Sequence, residues 1–351
     1  MPIRKSQTHS RTPRPTRLAD LTSRQRQVLT LLVRQYLATA RPVASGTLTV
    51  EGGFAWAPAT VRSSMFELES LGLLEQPHAA AGRIPTDRGY RVFVDGLGAP
   101  EPLTPADREE VERALTASAH DVEQLFRQAS RLLADTASEL GFAIAPGLDE
   151  GVLESLELVH VAERRVLLVL TVRSGPARSV ALHLTSPLGR ADVERVARLL
   201  RERLLGLPFA DVRGRLAGDD ALVRDVAAVL VAAAIADVLA ELERPEVFVD
   251  GAAYVARHPE FRESGSLRPV LQLIDRPEPW RDLLAGGSDP GLSVAIGREH
   301  NRTELAHLSL VSFRLPGPLP ASIGLLGPRR MDYARAMGLV EYVGRRLSSL
   351  L

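Results

Sequence analysis

The sequence predicts an α+β protein with a helical unit at its N-terminus, and three observations support that fold class. Apolar residues recur at helical spacing in three segments between residues 22 and 72, and two short strand-like segments and a fourth helix follow. Residues 98–105 contain three prolines and no apolar periodicity, which indicates a linker. Strand-like segments then lie on both sides of a mainly helical block at about 190–243, which indicates one α+β domain with an insertion.

Start and stop signals divide the N-terminal unit into elements. Thr22 and Gln25 have capping-box spacing ahead of an apolar stripe that begins at Val28. The third helix is expected to begin at Pro58, because proline fits the first helical position, and to stop at Gly72. The segments LLEQP and RIP flank a short tip and predict a β-hairpin. Three helices followed by a hairpin is the order of a winged helix-turn-helix.

The outer face of the third helix is the first candidate site. Its apolar stripe includes Val61 and Met65, which leaves Thr60, Arg62 and Ser63 facing away from the core. A DNA major groove admits one α-helix, and short polar or basic side chains near the start of that helix can reach base edges and phosphates. These three residues are therefore DNA-contact candidates, and an ordinary solvated helix face is the alternative.

The hairpin and the fourth helix supply further candidates. Gly82 allows a sharp turn at the hairpin tip, where His78 and Arg83 can lie against a phosphate backbone or a minor groove. Arg88 and Arg91 are three residues apart on the next helix, so one helix face can present both. We expect these arginines to share one side of the unit with the third helix.

Charge is distributed unevenly along the chain. The 43 basic and 43 acidic residues cancel overall, but residues 1–97 contain 13 basic and 7 acidic residues, against 30 and 36 in the remainder. A cationic N-terminal unit favours a polyanionic partner such as double-stranded DNA. Residues 1–17 read as a disordered basic arm without the apolar segment of a secretory signal. The absence of cysteine fits a cytoplasmic protein.

Neither an enzyme nor a membrane protein is indicated. No phosphate-binding loop, nucleophile elbow, zinc-protease motif or dinucleotide fingerprint occurs, and the eight histidines are not spaced as metal ligands. No cofactor or metal is expected. The longest apolar run, at 226–240, is too short for a membrane span and contains Asp237, so it predicts a buried or interface helix. Coiled-coil-like spacing at 121–140 is interpreted as packing within the chain.

Several strings resemble one known family. These are RQRQVLTLLVRQYLATARPVASGTL, PATVRSSMFELESLGLLEQPHAAAGRIPTDRGYRVFVDGL, AIGREHNRTELAHLSLVSF and IGLLGPRRMDYARAMGLVEYV. Together they resemble the heat-inducible transcription repressor HrcA of bacteria, from about residue 18 to the C-terminus. AGRIPTDRGYR and GPRRMDY carry the resemblance most specifically. It implies a homodimeric repressor that binds a palindromic operator upstream of chaperone operons, and a GroEL-type chaperonin that promotes its active form.

The resemblance also implies a division into domains. The expected order is a basic arm at 1–17, a winged-helix DNA-binding domain at 18–97, a linker at 98–105, and a GAF-like domain in two parts at 106–189 and 291–351. A mainly helical dimerisation domain at 190–290 would be inserted between those parts. The family usually has Gly-Ser-Arg-Thr-Leu where this chain has ASGTL, so Ser45 and Thr47 are the polar candidates on the second helix.

Two other functions remain open from the sequence. One is a winged-helix regulator whose GAF-like domain senses a small molecule, although the strands around 156–185 and 292–326 are rich in Val, Leu and Ile and read as packed. The other is a chaperone client or adaptor with incidental DNA contact. Binding of metabolites would favour the first, and chaperonin binding without operator DNA would favour the second.

Overall fold

The structure is a computed structural model that describes residues 17–51, 56–79, 81–149, 151–173, 177–258, 261, 267–275, 280, 283, 289–300, 302–317 and 321–351. The expected basic arm lies outside the described residues except for Arg17. Helices and strands together form an α+β protein, as the sequence predicts. Within the described residues, none of the helices combines the length and the apolar content that crossing a bilayer requires.

The N-terminal unit, residues 17–97, has the predicted element order. Its elements are α1 (Ser23–Thr39), α2 (Ser45–Glu51), α3 (Pro58–Ser70), β1 (Leu74–Glu75), β2 (Ile84–Pro85) and α4 (Asp87–Asp95). Thr22 and Gln25 form the predicted capping box, with Thr22 Oγ1 accepting from the Gln25 amide at 3.3 Å. Pro58 occupies the first turn of α3, and Gly72 follows that helix with a φ of 71°, a conformation that favours glycine.

The central sheet is an antiparallel sheet of five strands in the order β7-β3-β10-β9-β8. Its strands are β3 (Leu140–Ala145), β7 (Glu246–Asp250), β8 (Gly291–Ile296), β9 (Leu308–Arg314) and β10 (Ser322–Pro328). The helix α6 (Val122–Ala137) and the last helix of the chain pack on one face, α5 (Pro105–Ser118) packs on those two helices, and the core cluster around Trp280 covers the other face. Both faces are therefore buried, and β3, β9 and β10 are buried at almost every position.

The inserted unit, residues 148–242, leaves the central sheet after β3 and returns at β7. It contains β4 (Leu153–Ala162), β5 (Arg165–Val172) and β6 (Ala177–His183), which pair only with one another among the described strands. Its helices are α7 (Arg190–Leu204), α8 (Phe209–Gly218), α9 (Asp220–Val223) and α10 (Val226–Leu242), and they share one core with the sheet. The entry and exit segments touch where the Leu148 amide donates to the Leu242 carbonyl at 3.1 Å.

This topology differs from the expected boundaries at 190 and 290. The three strands at 153–183 were expected to belong with the later strands, yet they form a separate sheet with the helices that follow them. Conversely, β7 pairs with β3 in the central sheet, although it lies inside the span expected to be the insertion. The physical reason is visible in the burial pattern, because β4 alternates between buried and exposed residues whereas β3 is buried throughout.

Two of the predicted helices are buried within the chain, as the sequence predicts. The coiled-coil-like positions Leu125, Ala129 and Leu132 on α6 are buried in the core shared with the central sheet, so packing within the chain is confirmed for them. The apolar run at 226–240 forms α10, which is buried in the inserted unit. The chain then continues through the short helix α11 (Ala252–Val255), α12 (Leu267–Asp275) and the C-terminal helix α13 (Tyr333–Leu350).

Candidate nucleic-acid interface

The outer face of α3 carries the three DNA-contact candidates, which lie outside its buried stripe. Val61, Met65 and Leu68 face the core, while Arg62 and Ser63 are exposed and Thr60 is half-buried. Within the described residues the Arg62 guanidinium has neither an ion-pair partner nor a hydrogen bond. The face therefore offers a cation that the protein itself does not neutralise.

Phe66 lies on the same face and was not identified from the sequence. It follows Arg62 by four residues, so the two side chains are neighbours on the helix surface. Its side chain is 64% exposed, which is unusual for a large aromatic group that has no visible function in the core. The signal that could have identified it is its helical position, because Phe66 falls outside the buried stripe.

The start of α3 is bordered by a second exposed arginine. The guanidinium carbon of Arg24, on α1, lies 5.7 Å from the centre of the Trp56 ring, immediately before α3. Ala57 at the N-cap provides no side-chain hydrogen bond to the first turn of α3. Positive charge from Arg24 and the positive end of the helix dipole therefore meet at one edge, an arrangement that suits a phosphate group.

The residues predicted on α2 are only partly accessible. Ser45 begins the helix and Thr47 follows in its first turn, and both side chains are half-buried. The Ser45 carbonyl accepts a hydrogen bond from Thr49 Oγ1 at 2.9 Å. The exposed side chain at the end of this helix is Val50, which is 83% exposed.

The two DNA-contact candidates of the hairpin, Arg83 and His78, lie in different environments. Arg83 forms a two-point ion pair with Glu69 on α3, with nitrogen to oxygen distances of 3.0 and 2.9 Å, and its side chain is only 21% exposed. The Arg83 backbone also pairs with Val43 ahead of α2. His78 is exposed at the tip. Arg83 thus connects the hairpin to α3, whereas His78 points away from the core.

The two arginines on α4 do not share one environment either. Arg88 is exposed and its guanidinium lies beside Gly72, just past the end of α3. Arg91 is directed toward the central sheet, where its Nε donates to Glu299 Oε1 at 2.9 Å. The expectation that Arg62, Arg83, Arg88 and Arg91 share one open surface therefore does not describe how Arg91 is placed.

The remaining titratable groups show packing rather than a catalytic arrangement. His300 is buried and its Nε2 lies 3.1 Å from the Leu308 carbonyl, and burial lowers the pKa of this imidazole. His258 Nε2 lies 3.1 Å from Glu139 Oε2. Over the described part of the chain, no cluster of three potential metal-ligating side chains occurs.

Comparison with known proteins identifies the family. The family described as "HrcA protein C terminal domain" matches residues 123–337. A "Heat-inducible transcription repressor HrcA" from Moorella thermoacetica is 31% identical over 334 residues, which cover 93% of this chain and 97% of the relative. One of the same description from Halalkalibacterium halodurans is 29% identical over 94% of this chain and 98% of the relative.

A solved structure supports the fold over nearly the whole chain. A crystal structure of a hypothetical protein at 2.2 Å resolution matches with a TM-score of 0.62 and 24% identity, and the match covers 94% of this chain and 98% of the other. The sequence relatives carry the description of a transcription repressor, not of an enzyme. On these matches, the chain belongs to the HrcA family of heat-inducible transcription repressors.

Proposed function

We propose that this chain represses the transcription of heat-shock genes by binding double-stranded DNA through the outer face of α3. The observation that carries the proposal is the exposed Arg62, which has no partner among the described residues and lies beside Ser63 and Phe66 on one helix face. Guanidinium and hydroxyl groups can bond to base edges, and an aromatic ring can contact a thymine methyl group.

The N-terminal unit is proposed to act as a winged helix-turn-helix. In this arrangement α3 enters the major groove and the hairpin tip, with His78, lies near the phosphate backbone. Arg83 supports the hairpin through Glu69 and does not itself need to reach DNA. Arg24 beside Trp56 is proposed as a phosphate contact at the start of α3.

The rest of the chain is proposed to pair two N-terminal units. The inserted unit would form the dimer and the central sheet would be the GAF-like domain, with both placed in the cytoplasm. The topology favours boundaries at 148 and 242 for the insertion over those expected from the sequence. Two-fold symmetry of a homodimer presents the same helix twice, so the proposed operator is palindromic.

Selection from a random duplex pool tests the proposal directly. The full chain is expected to enrich an inverted repeat, and the affinity for that repeat is expected to fall with salt. For about six neutralised phosphates per dimer, log K should fall against log salt with a slope of about −5. Enrichment of no sequence together with a slope near zero would contradict DNA binding.

The proposed regulation involves a GroEL-type chaperonin that promotes the operator-binding form. On this proposal, heat diverts the chaperonin to unfolded proteins and repression is released. Adding GroEL and ATP to the refolded chain should raise the fraction of operator bound. An unchanged fraction, with the operator still recognised by the chain alone, would remove the chaperonin from the proposal and leave repression intact.

A small-molecule sensor is the second candidate, and one cleft favours it. The cleft has a volume of about 810 Å³ and lies between the N-terminal unit and the central sheet, with Arg88, Arg298 and His307 among its lining residues. A thermal-shift screen of anionic metabolites tests it, because a ligand that binds only the folded state raises the unfolding temperature, and raises it further as the ligand concentration increases above its Kd. A screen in which no metabolite raises the unfolding temperature would favour the chaperonin-regulated repressor.

A further inference from the structure

The two strings that carry the family resemblance most specifically contact each other in the folded chain. AGRIPTDRGYR contributes the start of α4, and GPRRMDY contributes the turn between β10 and α13. Their side chains meet where the N-terminal unit lies against the central sheet. None of these contacts belongs to the outer face of α3, so DNA binding by α3 does not explain them.

Arg91 is held by the central sheet at several points. Its Nε donates to one carboxylate oxygen of Glu299 at 2.9 Å and its Nη2 to the other, and Nη2 also donates to the Val294 carbonyl. Glu299 in turn accepts the Ile296 amide at 2.8 Å, which fixes the orientation of the carboxylate. The Nε–Nη2 edge of the guanidinium is therefore bound to the central-sheet side, while Nη1 pairs with Asp95 on α4 itself at 3.3 Å.

Asp87 forms a second ion pair in which the charges are reversed, because the N-terminal unit supplies the carboxylate and the guanidinium is that of Arg329. Arg329 Nη1 donates to Asp87 Oδ1 at 2.5 Å, and the Arg298 amide donates to Oδ2 at 3.2 Å. Gly297 has a φ of 56°, and a Cβ atom there would lie 2.5 Å from the Asp87 carboxylate. Glycine at this position thus permits the close approach of the two parts.

Apolar and backbone contacts complete the junction. Tyr90 packs against Tyr333 with ring centres 6.0 Å apart, and both side chains are almost fully buried. Arg330 Nη1 donates to the Leu37 carbonyl at 3.0 Å near the end of α1. The linker is attached as well, because the Glu101 amide donates to the Ala334 carbonyl at 3.3 Å. The N-terminal unit is therefore held against the central sheet by direct contacts, and not only by the linker.

We infer that Asp87, Arg91, Glu299 and Arg329 are positioning residues that set the direction of the N-terminal unit and thereby the half-site spacing that the dimer accepts. We call these four residues the interdomain clamp. The inference rests on the proposed function, because spacing has meaning only for a dimer that binds two half-sites. Two N-terminal units that are held rigidly in a dimer bind their half-sites together only at the spacing that fits both. N-terminal units released from the clamp would also bind operators whose half-sites are a few base pairs closer together or further apart.

The test must distinguish positioning by Arg91 from direct contact of Arg91 with DNA. It was predicted as a DNA contact, and its loss would then remove a phosphate or base interaction. The variants Arg91→Gln and Glu299→Gln distinguish the two roles, because they change the net charge in opposite directions but break the same contact. The clamp predicts the same effect from both variants, whereas direct DNA contact predicts an effect from Arg91→Gln alone.

The experiment measures affinity for duplexes whose two selected half-sites are moved apart in single base-pair steps. We expect wild type to prefer one spacing by about tenfold or more, and each neutral variant to lose most of that preference through lost effective concentration. Affinity for a duplex with one half-site should be unchanged in both variants. The charge-swapped double variant Arg91→Glu, Glu299→Arg should recover the preference. Arg345→Gln, which breaks an exposed pair within α13, is the matched control and should behave as wild type.

Two results would overturn the clamp. One is an unchanged spacing preference in both neutral variants, measured on protein with wild-type circular dichroism and dimer content. The other is loss of single half-site affinity in Arg91→Gln alone, which would make Arg91 a DNA contact. Failure of the proposed function is distinguishable, since wild type itself would then select no inverted repeat.

Discussion

The outer face of α3 and the inner side of α4 both carry arginines, but the fold uses them differently. Arg62 on α3 is exposed and has no partner among the described residues. Arg91 on α4 is bound to Glu299, a residue 208 positions later in the chain. The comparison shows that a count of basic residues does not measure the charge available to a polyanion, because tertiary contacts neutralise some of it.

The hairpin repeats the contrast within a few residues. His78 at the tip is exposed, whereas Arg83 is half-buried and paired with Glu69. The arginine shapes the surface and the histidine remains available to a partner. The interface proposed here is therefore narrower than the basic N-terminal unit suggests, and it is centred on the first turns of α3.

The largest expected effect is on the α3 face. Arg62→Ala should weaken operator binding by about 1 to 3 kcal/mol, because a guanidinium that pairs with a base contributes that much discrimination. Fluorescence anisotropy with the selected operator measures it, and denaturation in urea should show unchanged stability. Unchanged operator affinity would instead make Arg62 part of an ordinary solvated face.

A smaller effect is expected from the paired arginine of the hairpin. Arg83→Ala should lower the free energy of unfolding by about 1 kcal/mol, because it breaks a partly exposed ion pair with Glu69. Urea denaturation measures the loss, and Glu69→Gln should give a similar one. If Arg83→Ala left stability unchanged and weakened DNA binding, then Arg83 would belong with Arg62 as a direct contact.

Phe66 sharpens the comparison by testing an uncharged group on the same face. Phe66→Ala should cost about 1 kcal/mol of operator affinity if the ring covers one thymine methyl group. Replacing each thymine of the half-site in turn by deoxyuridine measures the contact, because wild type should lose affinity at one position and the variant at none. Equal sensitivity of the two proteins would place Phe66 away from the bases.

The smallest effect concerns the central-sheet side of the clamp, where His300 follows Glu299. Burial lowers the pKa of His300 below its ordinary value of 6.5, so the unfolded chain binds this proton more readily than the folded chain. This stability contribution is present above pH 6.5 and is lost as the pH falls through the pKa of the folded state. The free energy of unfolding should therefore decrease with acidification over that window, and His300→Asn should make the dependence shallower. A slope identical to wild type would exclude a contribution from His300.

Local signals made much of the N-terminal unit predictable. The capping box at Thr22 and the stop at Gly72 depend on neighbouring residues, and both were read correctly from the sequence. The sheet assignment was harder, since β3 and β7 were missed and β4 to β6 were placed with the wrong partners. A short strand buried on both faces, such as LGFAIA, lacks the alternation that marks a half-exposed strand.

The candidate site was predictable only where exposure follows helical spacing. Arg62 and Ser63 lie outside the buried stripe of α3, as expected from the sequence. The partner of Arg91 could not be predicted, because Glu299 approaches α4 only through the packing of the central sheet. Phe66 was overlooked because an aromatic residue near an apolar stripe is ordinarily assigned to the core.

The most direct test compares Arg62→Gln and Arg91→Gln in one titration against a duplex that carries a single half-site. Both variants remove one positive charge, so long-range electrostatics change equally. We predict that Arg62→Gln binds at least about fivefold more weakly than wild type, whereas Arg91→Gln binds as wild type does. The reverse order, or an equal loss in both variants, would contradict the claim that Arg62 contacts DNA and Arg91 does not.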